Sequence, residues 1–79
     1  MSLDPQASLE VAQFLASSPS PEQIIAFHLS SEANERAYAL IAAEREGTIS
    51  DEGREELESA VQFEHMMRLV KAEARLILK

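Results

Sequence analysis

The chain has 79 residues, no cysteine and a net charge of −7, and a domain of that length has a core worth only a few kcal/mol of net stability. Without cysteine, disulfide staples and thiolate metal sites are excluded, which leaves oligomerisation as the usual support for so small a fold and suits a reducing, cytoplasmic compartment. No apolar run approaches the roughly 18 residues that span a bilayer, and MSLDPQ lacks the basic and apolar regions of a signal peptide, so a soluble protein with no membrane partner is expected.

Asp4 before Pro5 is an N-cap followed by a residue whose missing N–H costs nothing at the first helical position, which predicts a helix over 5–16. Leu9, Val11, Ala12, Phe14 and Leu15 supply its apolar residues, and SSPSP at 17–21 ends it. Within that stretch Ser20 caps a second helix, with Pro21 at its first position, Glu22 near the positive terminus and Gln23 completing a capping box. The pattern predicts a helix over 21–28, anchored by Ile24, Ile25, Phe27 and Leu29. Ser30 or Ser31 then caps a third helix through EANERAYALIAAERE, which stops at Gly47. Ala33, Ala37, Leu40 and Ile41 share one of its faces, and the alanines let a neighbour approach closely. After the turn GTI, Ser50 caps a fourth helix whose first turns collect Asp51, Glu52, Glu55 and Glu56. Gly53 sits there at a cost of about 1 kcal/mol relative to alanine. From Asp51 to Ile77 this helix runs about 40 Å.

The expected fold is all-α: two short N-terminal helices followed by an antiparallel helical hairpin with a long C-terminal helix. Residues 1–79 read as a single helical domain, in which 1–18 hold an N-terminal helix free to be mobile and 30–79 form the hairpin.

The fourth helix raises the functional question. Ala60, Phe63, Met67, Val70, Ala74 and Ile77 follow a 3-4-3-4-3 spacing, the seam of a helix that packs along its length. Met66, Leu69 and Leu76 form a second apolar row, with Val61 and Ala72 farther round. A helix apolar on both flanks needs neighbours on both, and the remaining helices cover only part of it, so a second copy of the chain is expected on the rest. The expected dimer or partner interface is Ala60, Phe63, Met66, Met67, Leu69, Val70, Ala74 and Ile77. The Met66–Met67 pair reads as core filling in preference to an adaptable recognition surface.

Charge is partitioned along the chain. Residues 1–67 balance to −10, whereas 68–79 hold Arg68, Lys71, Arg75 and Lys79 against Glu73 alone. These four cations are the candidate contact for an anionic partner, because one helical turn between successive charges suits a phosphate track. Four cations without interleaved aromatics are a small footprint, however, and the acidic body repels nucleic acid. A solvated charged arc or salt bridges across a dimer are the expected role.

The pieces PSPEQIIAF at 19–27, EGTISDEGREELE at 46–58 and EHMMRLVKAEARL at 64–76 resemble a group of small, mostly uncharacterised bacterial all-helical proteins. Members read P-S-P-E-x-I, then E-G-T with an aliphatic, a Ser or Thr and acidic residues, then E-H and R-L-x-K-A-x-A-R. Such proteins are often encoded beside HNH-type nucleases or toxin-like proteins, so the resemblance implies an antitoxin-like or accessory binding partner. Gly53 departs from the group's acidic or polar residue, and residues 1–18 fall outside the likeness.

Motifs for chemistry are missing. With Gly47 and Gly53 as the two glycines there is no phosphate loop and no nucleophile elbow. A di-iron bundle needs Glu three residues before His, and Gln62 stands at that distance from His65. Glu64 and His65 point about 100° apart, so no metal and no cofactor is expected. His65 reads as an interface-edge residue and His28 as a residue near the C-terminus of the second helix. The expectation is a non-enzymatic homodimer that binds a protein partner. A small nucleic-acid-binding module using the basic stripe is the alternative.

Overall fold

The computed structural model describes residues 4–79, and among them it contains four helices and no strand. The helices are α1 (Pro5–Ala16), α2 (Pro21–Ala26), α3 (Ser31–Glu46) and α4 (Asp51–Ile77). Each starts where a side chain can satisfy the first free amides. Asp4 accepts from the Gln6 and Ala7 amides at 3.2 and 3.4 Å. Ser20 and Gln23 close a reciprocal capping box, Ser30 accepts from Ala33 at 3.3 Å, and Ser50 accepts from Gly53 at 3.0 Å.

α2 is two residues shorter than its sequence predicts, and the reason is tertiary. Phe27 leaves the helix at φ −64° and ψ 135°, where its ring stacks on Phe14 at 4.3 Å and its carbonyl accepts from Lys71 Nζ at 2.8 Å. His28 therefore lies beyond the helix end, exposed, with Nδ1 3.1 Å from the Leu29 carbonyl.

α3 ends at Gly47, whose φ of 75° lies in the left-handed region. The Thr48 amide donates to the Ala43 carbonyl at 2.9 Å and the Gly47 amide to Glu44 at 3.1 Å, the paired bonds of a Schellman ending. Gly47→Val should lower stability by more than about 1 kcal/mol, since a β-branched residue is strained at positive φ; urea denaturation curves measure it, and unchanged stability would contradict this ending.

After the turn, α4 lies against α3. Arg36 grips Glu56 through Nε and Nη2 at 2.8 and 3.1 Å, and Arg54 sits 3.8 Å from Glu44. The bridge farther before the turn on α3 thus pairs with the residue farther after it on α4. Leu40 and Leu57 are buried at this contact. Gly53 is buried too, and a Cβ there would stand 3.1 Å from Leu40 Cδ2, Ile49 Cγ1 and Ser50 Oγ. The helix-weakening glycine is what lets the α3 leucine sit this close. α2 packs on α4, and α1 rests on α3. The body measures 45 × 21 × 21 Å with a radius of gyration of 14.1 Å, against about 12 Å for a fully compact chain of this length.

Candidate functional site

The seam of α4 is occupied within the chain. Ala74 is buried and Ala60, Phe63, Met67 and Val70 are half-buried on the side that meets α2 and α3. Met66, Leu69 and Ile77 are exposed at 58%, 64% and 72%. The eight residues expected to form one interface thus divide between the chain's own packing and open surface. Leu76 and Val61 are exposed as well.

Between α1 and α4 runs an apolar groove of about 450 Å³, with half-buried Phe27 and Phe63 beneath exposed Leu15 and Met66. It stays open because α1 is seated on α3 and makes no close backbone approach to α4. One clasp holds that seat: Glu10 accepts from the Ser30 amide at 2.7 Å, from the Ser30 hydroxyl and from Gln6 Nε2 at 2.7 Å. These hydrogen bonds, Gln6's first and then those of Ser30, hold the Glu10 carboxyl below the usual carboxylate range. Glu10 is the single charged residue of α1, so with its carboxylate turned to Ser30 the helix offers the groove no charge. Sequence reasoning missed this groove because three helices build it; the signal available was the charge-poor composition of α1.

A second groove, about 440 Å³, lies between α3 and α4 over Ala33, Ala37 and Ala60. Its rim is the Arg36–Glu56 fork, in which the carboxylate's hydrogen bonds and then its charge raise the guanidinium pKa. Those polar atoms are already matched to one another.

The four cations of the basic stripe differ in their surroundings. Arg68 Nη2 pairs with Glu64 at 3.0 Å one turn away, and Lys71 is drawn inward to the Phe27 carbonyl. Arg75 and Lys79 are exposed and have no ion pair among the described residues. His65 is exposed on the outward side of α4. Among the described residues no three His, Asp or Glu side chains come together as a metal site, and no helix is long and apolar enough to cross a membrane. Compared with family models, with curated proteins and with solved structures, the chain matches none.

Proposed function

We propose that the protein is a non-enzymatic helical interaction protein, a cytoplasmic homodimer of the antitoxin-like or regulatory kind, built on an antiparallel hairpin of α3 and α4. The order of the two α3–α4 bridges supports the hairpin. The observation that carries the functional reading is how much surface is left open. A compact 8.8 kDa monomer exposes about 4,800 Å², whereas this chain exposes 5723 Å². The excess of about 900 Å² is close to the roughly 800 Å² that each partner covers in a standard-size complex. Two apolar areas contribute to it, the outward side of α4 and the α1–α4 groove. A second copy covers the first, and the groove is left to receive the apolar face of a helix from a protein partner.

The nucleic-acid alternative loses support from the stripe itself, since Lys71 and Arg68 are engaged inside the chain and an acidic body surrounds the rest. The test of the dimer is sedimentation equilibrium. Met67 and Val70 are half-buried within the chain, so the informative positions are the exposed Leu69 and Leu76. Wild type should sediment as a dimer at micromolar concentration, and Leu69→Glu with Leu76→Glu should give a monomer of wild-type helicity, because each buried unpaired carboxylate would cost the dimer several kcal/mol. A wild-type monomer would overturn the reading.

A further inference from the structure

Resting on the homodimer reading, we infer its geometry: the two copies pair α4 against α4 in antiparallel orientation, with Leu69 beside the two-fold axis. Gln62, His65, Leu69, Ala72 and Leu76 recur at 3-4-3-4 spacing on the side of α4 turned away from Phe63, Val70 and Ala74. All five are exposed, Leu69 at 64% and Leu76 at 57%. This is a second seam, left exposed among the described residues.

Charge selects both the occupant and its direction. Residues 51–64 of α4 balance to −5 and residues 65–79 to +3, so the helix is complementary to a reversed copy of itself. A parallel pairing would set basic half on basic half and acidic on acidic, with Glu73 the one acid among the cations of each basic half. It would also align the two helix dipoles head to head. Reversal about Leu69 sets Leu76 opposite the partner's Gln62. Arg75 then comes level with the partner's Phe63, one residue from the partner's Glu64, and Lys79 level with the partner's Ser59, one residue from the partner's Glu58. Arg75 and Lys79 are the two cations of the basic stripe whose side chains have neither an ion pair nor a hydrogen bond among the described residues. The Arg68 side chains meet near the axis, each already held by its own Glu64.

The cysteine-free chain makes a clean host for cross-linking. Antiparallel pairing about Leu69 leaves position 76 about 21 Å from its own copy along the axis, far beyond the roughly 4.4–6.8 Å between Cα atoms that a disulfide spans. Mild oxidation of Leu76→Cys alone should leave it uncross-linked, while mixing it with Gln62→Cys should yield the mixed disulfide as the main product. Charge reversal gives an independent reading. Glu64→Arg and Arg75→Glu should each raise the dimer dissociation constant about tenfold, and their combination should restore it. Self-cross-linking of Leu76→Cys within a wild-type-like dimer would overturn the orientation and leave the dimer standing. A dimer that cross-links in neither experiment would overturn the pairing face. Sedimentation of wild type as a monomer would overturn both readings together.

Discussion

Leu40→Ala is expected to bring the chain close to its unfolding midpoint at room temperature. Leu40 is 6% exposed and its Cδ2 lies 3.1 Å from where a Cβ on Gly53 would stand, so truncation opens a void between α3 and α4. Leucine-to-alanine changes at such sites cost about 2–5 kcal/mol through lost burial and the cavity left behind. A domain of this size has a net stability of about 3–5 kcal/mol, so a loss in the middle of that range removes most of it. Gly53 offers no side chain that could move into the void. Circular dichroism as a function of temperature should show a broad, early transition; a cooperative melt at the wild-type midpoint would mean that the α3–α4 contact is not the centre of stability.

Phe27→Ala should be comparably severe and should act on all the N-terminal elements together. The ring stacks on Phe14 of α1 and lines both grooves, and the same residue's carbonyl holds Lys71 of α4. Phenylalanine truncations cost about 3–5 kcal/mol in cores, and half-burial places Phe27 at about 3 kcal/mol. The informative readout is local: amide hydrogen exchange should lose protection in α1 and α2 before α3. Uniform loss across all four helices would show that α1 and α2 do not open separately. A helix-peptide partner bound in the α1–α4 groove should also lose affinity, because Phe27 lies beneath it.

Helix starts were legible in the sequence because each is a local event. Asp4 with Pro5, Ser20 with Gln23, Ser30 and Ser50 all act within three residues of themselves, and Gly47 ends α3 by its own backbone freedom. The end of α2 was not legible, because what stops it lies elsewhere in the chain: Phe14 and Lys71 reward Phe27 for leaving the helix. The same limit applies to the basic stripe. Lys71 shares its spacing with Arg68 and Arg75, and only the position of a backbone carbonyl 44 residues away separates its role from theirs. Gly53 shows the opposite case, where a residue that contradicts local propensity marks a close tertiary contact. The α4 seam was visible as a period of apolar residues, but periodicity does not say which side the chain's own helices occupy. Ala74 buried and Leu69 open have to be seen in three dimensions.

Ala7, Ala33 and Ala74 stand beside Leu40 and Leu57 as the buried hydrophobic residues of the described chain, and a core made largely of alanine has a consequence for the protein's lifetime in a cell. Alanine contributes little apolar area, so the stability margin of a lone chain is small, and proteases cut in proportion to its unfolded population when opening is fast. A ligand present at a hundred times its dissociation constant adds about 2.7 kcal/mol to the folded state, which lowers the cleavable fraction about a hundredfold. With a partner of the proposed kind, bound chains would be cut more slowly than unbound ones, so the amount of this protein would follow the supply of that partner without a separate regulatory site.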